Sequence, residues 1–212
     1  MKYPLLSLLL SLCLLSCGEK VKRSSDALSK ENSHEHSQNN YSGYADSVNT
    51  GLINPDTLKG SPRRKAMADV TGNHVHVDYG SPGVRGRMIW GGLVAFDEVW
   101  ASGAHTATSI TFDQPVSVGE TIVEAGTYGF FTIPGKENWT LILNKNYKQH
   151  LADDYDKSAD ILRLERQVDT LGYPVPRLTY EVIELGEGRG LVELSWEKIR
   201  VSLPFYNEEV GL

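Results

Sequence analysis

Metal-ligating side chains recur at every second position between His74 and Asp78. His74, His76 and Asp78 alternate with apolar residues, and side chains two positions apart lie on the same face of a β-strand. A His-x-His pair on a strand has the spacing to chelate zinc or iron, with His105 or His150 as the third ligand. A half-buried strand with a solvated polar face has the same alternation, so both interpretations remain open.

A run of oxygen ligands lies further along the chain. In a calcium-binding loop the ligands occupy positions 1, 3, 5, 7 and 12, and here these would be Asp154, Asp156, Ser158, Asp160 and Glu165. The sixth position, where the sharp turn favours glycine, is Ala159. The segment therefore predicts either a weak calcium site or an acidic loop without a metal.

Glycine stands directly before one arginine, in Gly86-Arg87, and three positions after one tryptophan, in Trp100-x-x-Gly103. A guanidinium group beside an aromatic face can bind a carboxylate, a phosphate or a sugar, and glycine allows close backbone approach. The predicted ligand-binding residues are Arg87, Trp100, His105, Tyr128 and Asn144. The alternative is structural, with the arginine bonded to loop carbonyls and the tryptophan in the core.

Several kinds of chemistry are excluded. The sequence has no Gly-x-Ser-x-Gly, phosphate-loop or His-Glu-x-x-His motif. Both cysteines, Cys13 and Cys17, precede the folded part, which therefore has no disulfide or thiol chemistry. The 21 Lys and Arg against 27 Asp and Glu give a net charge of −6, which argues against nucleic acid and anionic lipid as electrostatic partners. A pair of catalytic carboxylates remains open, since spacing does not show which acids meet.

The N-terminus has the pattern of an export signal. Lys2 precedes an apolar stretch over residues 4–16, and Ser16 stands directly before Cys17. This junction resembles a lipobox, which implies removal of residues 1–16, a diacylglyceryl group on the Cys17 thiol and a fatty acyl group such as palmitate on the new amino terminus. An uncleaved anchor is the alternative, but the stretch is short for a span of about 20 residues. We expect a lipoprotein held by Cys17 in the outer membrane, facing the periplasm or the cell surface.

The mature chain divides into three parts. Residues 17–60 are rich in Ser, Asn, Asp and Lys and predict a flexible tether, residues 61–205 a single domain, and residues 206–212 a tail. Within the domain we predict helical pieces at 62–68 and 146–152. The predicted strands are 74–79, 86–90, 106–112, 120–124, 127–133, 139–143, 178–185, 191–196 and 198–203. Many short strands separated by Gly and Pro predict an all-β fold, an antiparallel β-sandwich or jelly roll.

Several separated motifs occur in one order along the domain: Gly86-Arg87-x-Ile89-Trp90-Gly91, Val99-Trp100-x-x-Gly103-Ala104, Ala125-Gly126-Thr127-Tyr128, Ile133-Pro134-Gly135, Trp139-x-x-Ile142-Leu143-Asn144-Lys145 and Trp196-Glu197-Lys198. Together they resemble a bacterial family named domain of unknown function 2911, over about residues 61–205. The resemblance implies an exported β domain, and it favours a strand after Asp160. Many members look like Gly-Ala-Asn-Glu or Gly-Ala-Asp-Glu where this chain has Gly103-Ala104-His105-Thr106. If that acid were catalytic in the family, this protein would lack it.

Three functions follow as expectations. The leading one is a lipid-anchored sandwich that binds a glycan or small metabolite near Arg87, Trp100 and His105, because binding groups concentrate on loops and strand ends. The second is an envelope hydrolase or metal-dependent enzyme that uses His74 and His76. The third is a structural or assembly protein of the envelope, which a large apolar surface patch would favour.

Overall fold

The computed structural model describes residues 43–52 and 59–208. The predicted signal peptide, Cys17 and most of the predicted tether lie outside these residues. The described elements are α1 (Gly43–Asn49), β1 (Arg63–Val70), β2 (Asn73–Gly80), β3 (Ser109–Phe112), β4 (Val116–Val118), β5 (Thr121–Val123), β6 (Gly126–Ile133), β7 (Asn138–Asn144), a short 3-10 helix (Lys157–Ala159), β8 (Asp160–Gln167), β9 (Asp169–Gly186) and β10 (Arg189–Asn207).

The strands form two sheets. One has six strands in the order β1-β2-β3-β6-β7-β8, and the other has four in the order β5-β4-β10-β9. Neighbouring strands pair antiparallel in both sheets. One apolar core draws on both sheets, so the predicted antiparallel β-sandwich is confirmed. The predicted strand after Asp160 is also confirmed, as β8.

Period-two alternation orients β2 between the core and the outer surface. Val75 and Val77 are fully buried and Tyr79 is 2% exposed, whereas the side chains between them are half-buried on the opposite face. The Tyr79 ring packs against Tyr180 of β9, with ring centroids 4.7 Å apart. The apolar face of β2 therefore holds the two sheets together, while its polar face is left for other uses.

All four tryptophans lie in one cluster. Trp90 and Trp100 come from the long connection over residues 81–108, Trp139 from β7 and Trp196 from β10. The Trp90 ring centroid lies 4.8 Å from that of Trp139 and 5.7 Å from that of Trp196. Such aromatic pairs each add about 0.5–1.5 kcal/mol beyond the burial of apolar area. The cluster therefore fixes the long connection to both sheets.

Strand β10 bends back on itself. The Ser202 hydroxyl donates to Glu193 at 3.2 Å, although an unbent strand would separate residues nine positions apart by roughly 30 Å. The Asn207 amide likewise donates to the Gly188 carbonyl at 2.9 Å. Glu197, between the two halves, has a left-handed φ of 54°. The two strands predicted at 191–196 and 198–203 therefore correspond to the two halves of β10.

Three predicted elements are wrong. The helix predicted at 62–68 is β1, because Ala66 is buried and the whole segment pairs with β2. The helix predicted at 146–152 is an irregular loop. The strand predicted at 86–90 consists of turns, in which the Leu93 and Val94 amides donate to the carbonyls of Met88 and Ile89.

Helix α1 lies within the segment predicted as tether. It packs against β9: Val48 is 2% exposed, Asn49 Nδ2 donates to Thr179 Oγ1 at 2.7 Å, and Asn49 Oδ1 accepts the Arg177 amide at 3.1 Å. A single apolar residue and one asparagine amide are enough to hold this turn of chain against the domain.

Candidate functional site

Two loops cover half of the outer face of the six-stranded sheet. Ala101 and Ala107 from the 81–108 connection pack on Phe131 and Ile142 of β6 and β7, with Tyr155 beside them. This small second core leaves the β1–β3 side of the face open. A cleft lies along the boundary between the covered and open halves.

The cleft has a volume of about 430 Å³. Its lining residues come from β1, β2, β3 and both loops, namely Arg63, Asp78, Thr106, Ala107, Ser109, Tyr147, Lys148, Gln149 and His150. Small-molecule sites in proteins have volumes of about 300–1,000 Å³. The cleft therefore has room for a small ligand.

Arg63 builds one wall of the cleft. Its guanidinium donates from Nε to the Asp78 carboxylate, from Nη1 to the Thr106 carbonyl at 2.9 Å, and from Nη2 to the carbonyls of Asp78 and Ala107 at 3.0 and 3.3 Å. These bonds tie the end of the 81–108 connection to β2. Arg63 is therefore a positioning residue whose charge lies at the cleft.

Asp78 is shared by two cations. Besides Arg63, Lys65 approaches its second carboxylate oxygen at 3.6 Å. Lys65 and Asp78 are register partners across β1 and β2, which is why their side chains meet on one face. Arg63, Lys65 and Asp78 together carry a net charge of +1.

Asn144 and Gln149 fix the opposite wall. Asn144 is fully buried, donates to the Asp156 carbonyl at 2.8 Å and to the Asp160 carboxylate at 2.7 Å, and accepts the Asn146 amide at 2.7 Å. Gln149 donates to the Asn146 carbonyl at 2.6 Å and accepts the Asp154 amide at 3.0 Å. Buried amides with every bond made hold a loop rigid.

Four polar groups face the cleft without a hydrogen-bond or ion-pair partner among the described residues. They are the hydroxyls of Thr106, Ser109 and Tyr147 and the ammonium of Lys148. The Lys148 Nζ atom lies 5.5 Å from the centroid of the Tyr147 ring, within the range of a cation–π contact. The wall-building groups thus have their bonds made, whereas these four are available to a ligand.

His150 stands at the rim. Its Nδ1 lies 2.9 Å from an Asp153 carboxylate oxygen, and both side chains are about two-thirds exposed, at 64% and 63%. An isolated antiparallel β-bridge pairs the backbones of His150 and Thr106, and the Leu151 backbone amide donates to the His105 carbonyl at 2.6 Å. The 81–108 connection and the loop after β7 are therefore bonded to each other at this end of the cleft.

The structure does not bring the five predicted ligand-binding residues together. Arg87 donates to the carbonyls of Gly83 and Val84, and the Trp100 indole donates to the Gly103 carbonyl at 3.2 Å. These are the structural roles given above as the alternative.

The other three members also lie apart. The Tyr128 hydroxyl donates to the Glu124 carbonyl at 2.8 Å, and burial raises the pKa of this phenol. Asn144 is enclosed beneath its loop. His105, exposed and with a left-handed φ of 65°, is adjacent in sequence to the cleft residue Thr106.

The predicted metal ligands do share one face. The rings of His74 and His76 have centroids 5.9 Å apart, and Asp78 lies on the same polar face but pairs with Arg63 and Lys65. Across residues 43–52 and 59–208, no three His, Cys, Asp or Glu side chains are placed to hold a metal ion. The metal interpretation stays a prediction.

Three of the five predicted calcium ligands have protein partners for their side chains, namely Asp156, Ser158 and Asp160. Asp156 accepts both the amide and the hydroxyl of Ser158, which lowers the pKa of its carboxyl. Asp160 accepts from Asn144, from the Tyr155 hydroxyl at 2.7 Å and from Arg163 at 2.7 Å. Burial, followed by the bond to Asp160, raises the pKa of Tyr155 to about 12. The calcium interpretation stays a prediction.

Sequence reasoning missed most of the cleft. Arg63 falls in a segment predicted as helix, and Lys148 in a second one. Of the predicted residues, Asp78 lines the cleft, as does His150, which was considered only as a third metal ligand. The signal that was present is the register of β1 against β2, since any pairing that buries Ala66 and Val77 together also places Lys65 beside Asp78.

Within the described residues, no helix is long and apolar enough to cross a membrane.

Comparisons with known proteins give one result. No curated protein and no solved structure matches the chain significantly. A family model matches residues 61–205, which span β1 to most of β10, in agreement with the resemblance of the motifs. The chain belongs to the family described as Protein of unknown function (DUF2911).

Proposed function

We propose that this protein binds a small polar ligand, a glycan unit or a small metabolite, in the cleft between β2 and the loop after β7. The observation that carries the proposal is the set of four polar groups, on Thr106, Ser109, Tyr147 and Lys148, that face the cleft without a protein partner. Hydroxyl and ammonium groups in this arrangement can exchange bonds with the hydroxyls of a sugar.

Preorganisation supports the same proposal. Arg63, Asn144 and Gln149 hold both walls through bonds to backbone and side chains. A site whose walls are already fixed loses little conformational entropy when a ligand binds. The Tyr147 ring adds an apolar surface that suits the C–H face of a sugar ring.

The place of action is part of the proposal. A lipid on Cys17 would hold the protein in the bacterial envelope, where glycans and small metabolites occur, and the segment after it would keep the domain near the membrane. The lipobox-like junction at Ser16-Cys17 motivates this assignment.

A binding screen tests the cleft. The purified full-length protein, in detergent, is screened against a panel of mono- and disaccharides by thermal shift, and each hit is titrated by calorimetry. We expect Tyr147→Phe combined with Ser109→Ala to weaken binding about tenfold, because two bonds to the ligand are lost. Tyr173→Phe is the matched control, since Tyr173 is 65% exposed on β9 and does not line the cleft.

Two results would overturn the proposal. One is that no member of the panel stabilises the protein. The other is that a hit binds the Tyr147→Phe, Ser109→Ala variant as tightly as it binds the wild type.

A further inference from the structure

We infer that the ligand carries a negative charge, a carboxylate or a phosphate, and that Lys148 binds it directly. The inference rests on the proposed function and names the ligand class for the same cleft. The charge around the cleft is opposite in sign to the net charge of the whole chain.

The charges around the cleft do not cancel. Arg63 and Lys65 share the single carboxylate of Asp78, so this group is positive by one. With histidine counted as neutral, as in the net charge of the chain, Asp153 beside His150 adds one negative charge at the rim, and Lys148 adds one positive charge. Lys148 has no ion-pair partner within the described part of the chain. The cleft is therefore positive in a protein whose net charge is −6, and such a local field favours an anion.

Lys148 is the cation that can reach a ligand. The N–H groups of Arg63 are largely engaged with Asp78 and the two loop carbonyls, so Arg63 contributes charge and position. Lys148, by contrast, is bonded to no acceptor, and its ammonium lies over the Tyr147 ring at 5.5 Å. That contact keeps the charge at the cleft while leaving its three N–H donors for an anion.

The hydroxyls complete the recognition. Ser109 and Thr106 can donate to the oxygens of a carboxylate or phosphate, while Tyr147 can bond to a neighbouring sugar hydroxyl. The group of donors thus suits a sugar acid or a sugar phosphate better than a neutral sugar.

The test compares a neutral sugar with two of its charged derivatives and with a bare anion. Full-length protein is titrated by calorimetry with galacturonate, galactose 6-phosphate, galactose and inorganic phosphate. We expect at least one of the two charged sugars to bind about tenfold or more tightly than galactose, because a charge-assisted bond is added. Inorganic phosphate separates recognition of the bare anion from recognition of the sugar that carries it.

Variants assign the effect to Lys148. We expect Lys148→Gln to lower the affinity for the charged sugar about tenfold and that for galactose much less, because glutamine keeps an N–H donor but not the charge, and Lys148→Arg to restore most of the loss. Lys136→Gln, an exposed lysine in the β6–β7 turn outside the cleft, is the matched control and should bind like the wild type.

The outcomes distinguish this inference from the function on which it rests. Equal binding of charged and neutral sugars, or an unchanged affinity in Lys148→Gln, overturns the inference and leaves the binding function standing. Absence of binding by all four probes overturns the inference, whereas the proposed function is overturned by failure of the whole sugar panel or by a hit that binds the Tyr147→Phe, Ser109→Ala variant as tightly as the wild type.

Discussion

His76 lies half-buried on the outer face of β2, and its protonation should weaken the fold. Burial lowers the pKa of this imidazole below 6.5, the charges of Lys65 and His74 add to the effect, and Asp113 and Asp78 oppose it. The folded protein therefore keeps the ring neutral where the unfolded chain binds a proton. The contribution of His76 to the free energy of unfolding is fully present above pH 6.5. It is lost as the pH falls from there through the pKa of the folded state.

Urea unfolding at about pH 7.5 and about pH 5 measures this loss. We expect His76→Gln to lose less free energy of unfolding between the two values than the wild type loses. His105→Gln, which changes an exposed histidine on a loop, controls for the chemical substitution. A His76→Gln variant with the full wild-type loss would contradict the argument.

Single residues also show where sequence reasoning stops. The motif residue Asn144 was predicted to bind a ligand, and its amide instead holds the loop after β7. Both uses require the same donor and acceptor, so residue type cannot separate them. Burial separates them: Asn144 is fully buried and bonded to Asp160, sixteen positions away, and no local pattern specifies that contact.

The approach of the 81–108 connection to the end of β2 depends on Gly80. A Cβ atom at this position would lie 2.2 Å from the Ala104 carbonyl oxygen. Because this oxygen belongs to the backbone, it cannot rotate away as a flexible side chain could. We expect Gly80→Ala to lower the free energy of unfolding by about 1–3 kcal/mol. It should also weaken ligand binding, because the displaced segment continues into Thr106 and the carbonyls that Arg63 holds.

Gly172→Ala is the matched control for Gly80→Ala. A Cβ at Gly172 would meet no atom within 4 Å, and we expect its effect to stay within about 0.5 kcal/mol. Urea unfolding of both variants checks the comparison. Equal stability of Gly80→Ala and the wild type would show that the connection can shift at no cost.

At the scale of elements, the sheet strands were predictable and the covering loops were not. Alternating apolar residues identified β2, which has one face in the core. Strands β6 and β7 are buried on both faces over much of their length, and the Gly and Pro residues around them identified them instead. Strand β1 was missed because Arg, Lys, Ala and Met favour helix, and only pairing with β2 overrides that preference. The cleft depends on β1 and on two irregular loops, so it could not be located before the fold was known.

For the whole molecule, net charge does not decide the charge of the ligand that we propose. The balance of −6 argues against long polyanions, whose contact extends over a large surface. Net charge does not describe the local charge of the cleft. There Arg63 and Lys65 share one carboxylate, and Lys148 has no carboxylate partner among the described residues. A small anion responds to charges within about 10 Å, the Debye length at ordinary ionic strength, and only the fold brings those charges together.

We propose that Cys17 determines where the molecule works, and its modification is directly testable. In the bacterium of origin, labelled palmitate should be incorporated into the wild-type protein, because the Ser16-Cys17 junction resembles a lipobox, and the protein should fractionate with the outer membrane. We expect Cys17→Ser to lose the label and the membrane association, since no second anchor is predicted. Cys13→Ser is the matched control: it removes the other cysteine of the same segment and should remain labelled. Label that persists in Cys17→Ser, or disappears in Cys13→Ser, would contradict the assignment of the anchor to Cys17.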